Sequence, residues 1–139
     1  MNLKKQEMRV QPYLTFNGNC NEALNFYSEL FNAEVKNKQT YHDKKIDVPL
    51  SHRKKLQHAE LKGKGIHLMA YDASPDTPLN AGNNISISVD LNDNEEAEDV
   101  FNNLSKEGIT HHEFKEREWG YYGRCTDKYG ISWMVNCNC

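Results

Sequence analysis

The chain has 139 residues, with 17 lysines and arginines against 20 aspartates and glutamates, a length that suits one domain with a real core. The near-even charge gives no global basic field of the kind that draws in nucleic acid. No apolar run approaches the roughly 18 residues needed to span a bilayer, which excludes a spanning helix.

The start, Met1-Asn2-Leu3-Lys4-Lys5, is not followed by the apolar stretch of a signal peptide, so the expected location is cytoplasmic. Met8 to Phe16 then reads as an extended segment, with Pro12 near its start, and Asn17-Gly18-Asn19 as a turn. Ala23, Leu24, Phe26, Tyr27, Leu30 and Phe31 follow the spacing of an amphipathic helix that ends by Asn32, with Asn19 or Asn21 as its N-cap. Glu34 to Tyr41 is a polar edge strand. Residues 42–55, with Pro49 and many charges, read as a mobile loop, and the basic run His52-Arg53-Lys54-Lys55 as a solvated part of it. Leu56 to Lys62 and Ile66 to Asp72 form a hairpin across Gly63-Lys64. If Lys62 pairs with Gly65, Glu60 lies opposite His67 and His58 opposite Met69 on one face, while Ala59, Leu61, Leu68 and Ala70 take the other.

Ala73 to Asn83, with Pro75, Pro78 and Gly82, has the chemistry of a linker. Ile85 to Asp90 alternates as a half-buried strand does. Glu95 to Lys106 is a second amphipathic helix, with Ala97, Val100, Phe101 and Leu104 inward, Asp93 or Asn94 as cap and Gly108 supporting its end. Thr110 to Glu116 is a polar strand, and Trp119 sits in a glycine-flanked loop. The last stretch makes a hairpin around Asp127-Lys128-Tyr129-Gly130, with Ile131, Trp133 and Val135 toward a core and Ser132, Met134 and Asn136 on the opposite, polar face. Four cysteines (Cys20, Cys125, Cys137 and Cys139) without a CxxC pair suit reduced thiols better than a disulfide scaffold, and Cys137-Asn138-Cys139 reads as a mobile terminus.

The chain also repeats itself. Asn21 to Tyr27 matches Glu95 to Phe101 at an offset of 74, and Gly65 to Ala70 matches Gly130 to Val135 at an offset of 65. Each copy therefore reads strand, helix, strand, strand, strand. One βαβββ unit leaves a sheet face needing a partner, so two copies side by side are the compact solution. The expected architecture is α+β, a single domain over 1–139, with one module at about 8–72, a second at about 84–137 and a linker at 73–83.

Pro12-Tyr13-Leu14-Thr15-Phe16-Asn17-Gly18-Asn19-Cys20-Asn21-Glu22-Ala23-Leu24-Asn25-Phe26-Tyr27, His58-Ala59-Glu60-Leu61, Trp119-Gly120 and Asp127 to Met134 resemble the PhnB-like branch of the vicinal oxygen chelate superfamily, which includes glyoxalases, bleomycin-resistance proteins and extradiol dioxygenases. The resemblance implies paired βαβββ modules forming a cupped mixed sheet with helices on its outer face, a ligand site inside the cup, and a homodimer. It also implies metal-ligand positions at Gln11 or Pro12, at Met69, between Asn84 and Ser86, and at Met134. None of these is His, Asp, Glu or Cys, so the superfamily metal is not expected. No glycine-rich nucleotide loop follows the first strand, which weighs against a methyltransferase activity carried by some relatives' labels.

The sharpest constellation left is His58, Glu60 and His67 beside Met69. The first reading is a small-molecule binding protein without metal or other cofactor, its cup lined by His58, Glu60, His67, Met69, Trp119, Ser132 and Met134. Met69 and Met134 would form a soft floor for an apolar or aromatic ligand and Trp119 a lid. Against it stand a metal-dependent enzyme with a divalent ion relocated to His58, Glu60 and His67, and a degenerate module serving only protein interactions. Arg124 reads equally as an anion clamp or a solvated strand residue, and only one of His111 and His112 can share a face with the cup.

Overall fold

The computed structural model describes residues 7–139. Two compact units divide the chain, the first ending at Leu79 and the second running Asn80–Cys139. The first unit contains β1 (Tyr13–Phe16), α1 (Cys20–Phe31), β2 (Glu34–Thr40), β3 (Leu56–Gly63) and β4 (Ile66–Asp72). The second contains β5 (Ile87–Leu91), α2 (Asn94–Ser105), β6 (Ile109–Arg117), β7 (Gly120–Thr126) and β8 (Ser132–Cys137). The two βαβββ modules expected from the repeat are both present. Their sheets have the same order, β1-β4-β3-β2 and β5-β8-β7-β6, and in each the first strand runs parallel to the last while the other pairs are antiparallel.

Period-two alternation explains which face of each sheet is buried. In the first unit Ala59, Leu61, Leu68 and Ala70 lie under α1, whose Ala23, Leu24 and Tyr27 are fully buried. In the second, Cys125, Trp133 and Val135 meet Ala97, Val100, Phe101 and Leu104 of α2. Burying one helix stripe against one apolar sheet face is what holds each unit together, and it leaves the opposite sheet face free for polar residues.

The two helices begin differently. Asp93 caps α2 as expected, its carboxylate accepting from the Glu96 amide at 2.9 Å. Asn19 occupies the N-cap position of α1, yet its side chain makes no capping bond, and Asn21 lies within the helix. The cap comes from the far end of the module: Asp72 Oδ1 accepts from the Cys20 amide at 2.9 Å, Asp72 Oδ2 from the Leu56 amide at 3.0 Å, and the Asp72 carbonyl from the Tyr41 hydroxyl at 2.6 Å. After α2 the left-handed position is taken by Glu107 (φ 63°), not by Gly108. Gly108 is needed for another reason, since a Cβ there would lie 2.2 Å from the Thr126 carbonyl oxygen.

Several boundaries differ from the sequence reading. The first hairpin turns at Lys64-Gly65, where Gly65 takes φ +81°, so Gly63 pairs with Ile66 and the register moves by two: Lys62 faces His67 and Glu60 faces Met69. The shift is even, so no side chain changes face. β5 begins at Ile87, and Ile85 is exposed. Residues 41–55 are not structureless: they contain turns and a 3-10 turn at Leu50–His52, tied by Tyr41 N to Lys55 O (3.1 Å) and His42 N to Arg53 O (3.1 Å). Lys55 is not simply solvated, because its Nζ donates to the Gly18 carbonyl at 2.8 Å. Finally, Cys137 and Cys139 form a disulfide, against the expectation of four reduced thiols, while Cys20 and Cys125 are free and buried.

Candidate functional site

The polar face of the first unit's sheet carries the constellation. β3 alternates, so burying Ala59 and Leu61 turns His58 and Glu60 to the other face, and β4 does the same for His67 and Met69. In the observed register His67 is diagonal to Glu60, within reach of long side chains. His67 Nε2 lies 2.7 Å from Glu60 Oε1 and donates to it; His67 Nδ1 then accepts from the Gln11 side-chain amide. A break in the β2–β3 register between Lys36 and Gln39, with Asn37 at φ 55°, brings the Asn37 amide within 2.6 Å of Glu60 Oε2. On the other side Tyr13 Oη is 2.6 Å from His58 Nδ1, and His58 Nε2 stands 3.7 Å from Glu60 Oε2.

The partners set the protonation states. Glu60 is held at a pKa of about 2, chiefly by the hydrogen bond from His67 and then by that from Asn37. Burial, with Tyr71 adding to it, raises the Tyr13 phenol. A carboxylate so far below neutral pH, with both oxygens occupied, is a weak general base. What the arrangement offers is recognition: a fixed negative charge and oriented imidazoles, half-buried at 19–22% side-chain exposure. Beside them the rings of Tyr13, His58 and Tyr71 lie 5.4–5.7 Å apart edge to face. A cleft of about 510 Å³ borders the group, lined by Tyr13, Asn37, Lys38, Gln39, Lys44, Gln57 and His58, so that Glu60 and His67 stand behind its wall of Asn37 and His58. Among the described residues the buried side-chain oxygen of Gln57 has no hydrogen-bond partner.

Metal binding would demand a different arrangement. Among the described residues no three His, Cys, Asp or Glu side chains are grouped to hold an ion. His67 gives its Nε2 proton to Glu60, and to bind an ion there it would have to present a lone pair instead.

The remaining predicted residues lie in the second unit. Ser132 and Met134 share the polar face of β8, as period two required, with Met134 facing Ser88 and Arg124. By pairing, Met134 holds the place in its sheet that Met69 holds in the first, where Met69 faces Tyr13 and Glu60. Glu60 of one module thus corresponds to Arg124 of the other. Gln11 bonded to His67 corresponds to Ser86 bonded to Ser132 at 2.6 Å. Trp119 is 67% exposed in the β6–β7 turn, its ring 6.4 Å from that of Tyr122. Arg124 reaches the Asn83 carbonyl at 3.5 Å. Of His111 and His112, the first bonds Thr126 Oγ1 at 2.8 Å and the second packs near Tyr122, as strand alternation separates them. Sequence reasoning missed Gln11 and Asn37 as parts of the network. Gln11 was read only as a stretch of extended chain and a metal-ligand position that the resemblance implied, and Asn37 joins only through the register break, which no local signal announces.

Comparison with known proteins places this geometry in a family. The chain is 28% identical to Protein YjdN of Escherichia coli K12, over 93% of this chain and 95% of that one. Among solved structures, PA1353 of Pseudomonas aeruginosa matches at 33% identity and TM-score 0.84, covering 94% and 97% of the two chains. A putative 3-demethylubiquinone-9 3-methyltransferase, PhnB protein, from Bacillus cereus matches at 25% identity and TM-score 0.81, covering 94% and 99%. Fosfomycin-resistance and glyoxalase/bleomycin-resistance/dioxygenase structures match at 11% and 10% identity with TM-score 0.64, which shows a shared fold. The family model described as 3-demethylubiquinone-9 3-methyltransferase matches residues 8–136, and the chain belongs to that family.

Proposed function

We propose that the protein binds a small planar molecule on the polar face of its first sheet, with Glu60 and His67 fixing one polar group of the ligand. The observation that carries this reading is the hydrogen-bonded chain from Gln11 through His67 and Glu60 to Asn37, set beside a cleft of about 510 Å³. That volume lies within the roughly 300–1,000 Å³ of small-molecule sites. Holding an ionised carboxylate in a fixed place costs side-chain entropy, and it prepares a site for a donor group on a ligand. The Tyr13 and His58 rings on the cleft wall, with Tyr71 packed edge to face against Tyr13, supply aromatic surface beside it. Methyl transfer, which the family description names, would need a donor. The loop after β1, Asn17-Gly18-Asn19, is not a glycine-rich phosphate cradle, so nothing in the residues favours a nucleotide-borne donor there.

Thermal-shift screening against aromatic metabolites and antibiotics, with and without divalent ions, tests the reading. A planar hit should stabilise the protein without added metal. Its affinity should fall at least about tenfold, roughly 1.4 kcal/mol, in both Glu60→Gln and His67→Ala. Equal affinity in both variants, or stabilisation that appears only with a divalent ion and vanishes in His58→Ala, would overturn it.

A further inference from the structure

The connection between β2 and β3 carries a second constellation that the first site does not use. Residues 36–55 hold seven lysines and arginines against two aspartates, a local excess of five positive charges in a chain whose net charge is −3. Charge alone would make a solvated loop. Here the backbone folds it around concave surfaces. The His42 amide donates to the Arg53 carbonyl at 3.1 Å, the Lys55 amide to His52 at 3.0 Å and the His52 amide to Pro49 at 2.8 Å, which sets His42 and Arg53 side by side. These two residues form the shared wall of two cavities, of about 420 and 320 Å³. The larger is lined by Thr40, His42, Leu50, Ser51, Arg53 and Lys54. Its lining thus has a guanidinium, an ammonium, an imidazole, two hydroxyls and one apolar side chain, and the Asp43 carboxylate next to it is taken up by Thr40, accepting from its amide at 2.9 Å. The smaller cavity includes Asp47, which opposes an anion and leaves the larger as the anion's place. Among the described residues neither Arg53 nor Lys54 has an ion-pair partner.

We propose that this larger cavity is a binding site for a small oxyanion carried on a short apolar body, such as a phosphate monoester. The Arg53 guanidinium presents paired N–H donors to two oxygens, which an ammonium cannot do. His42, Lys54 and Ser51 surround the remaining oxygens, and Leu50, which is 78% exposed, covers the apolar body. The site is separate from the Glu60 network and its existence does not depend on that reading.

Butyl phosphate, inorganic phosphate and butanol, titrated into the full chain and followed by backbone amide shifts, test the proposal. Butyl phosphate should shift the amides of residues 40–54 and bind more tightly than inorganic phosphate, and butanol should not bind. Added salt should weaken the binding. Arg53→Ala should weaken butyl phosphate at least tenfold, Arg53→Lys should recover part of the loss, and Lys64→Ala, on the exposed turn, should change nothing. Because Arg53 ties the loop through its backbone amide and carbonyl, the Arg53→Ala amide spectrum should otherwise be retained. If that variant disturbs the loop, Ser51→Glu, which sets a carboxylate on the same wall, must also abolish binding. Shifts that map elsewhere, or affinity unchanged in Arg53→Ala and Ser51→Glu, would refute the site.

Discussion

Glu60 shows how one side chain is governed by its neighbours. Its folded pKa of about 2 lies below the ordinary 4.5 because His67 and Asn37 donate to the ionised form. A depressed carboxylate contributes stability that is fully present above the unfolded value and is lost as pH falls toward the folded one. Thermal melts of wild type and Glu60→Gln from pH 6 to pH 2.5 should therefore show a wild-type advantage above about pH 4.5 that shrinks steadily toward pH 2.5. A difference that stays constant through this window would mean that the network gives Glu60 no proton linkage. The two free thiols are governed differently: burial pushes Cys20 up to about 12 and Cys125 to about 11, with Asp72 and Asp127 adding to each, so both are packing residues.

The two helices make the comparison at the scale of elements, since their start positions are related by the repeat yet are capped by different means. In α2 the cap is local, from Asp93. In α1 it comes from Asp72, 52 residues away. Asp93→Ala should cost about 1 kcal/mol in urea denaturation, whereas Asn19→Ala, whose side chain caps nothing, should cost no more than a few tenths. Equal losses at the two sites would show that Asn19 caps in solution. The pattern Asn19-Cys20-Asn21 gave no means of choosing, because a distant carboxylate satisfies a helix amide as well as a neighbouring one does.

For the whole molecule the division into two units has a measurable consequence. Each unit has its own helix, sheet and buried cluster, and both tryptophans, Trp119 and Trp133, belong to the second. Asp72→Ala strands two buried amides of the first unit, at a cost of about 3 kcal/mol. The circular-dichroism transition should then begin at lower temperature while the tryptophan-emission transition stays where it is in wild type. Coincident transitions that move together would show one cooperative block instead.

Sequence by itself determined the element order, both helices and the buried sheet faces, because these follow from periodicities of 3.6 and 2 that a short window displays. It determined the module count too, since the offsets of 74 and 65 require the same βαβββ path twice. Ala59, Leu61, Trp133 and Val135 were legible as core for that reason, and His58, Glu60, His67 and Met69 as sharing the opposite face. Tertiary structure alone decided the pairings that depend on one turn residue or on distant chain. Gly65 at positive φ moved the hairpin register by two, and the break at Asn37 brought a third partner to Glu60. Folding of residues 41–55 turned a run of charges into cavities walled by His42 and Arg53. Local propensity is a property of neighbours in the chain, whereas register, remote capping and concavity are set by which distant groups must be satisfied together.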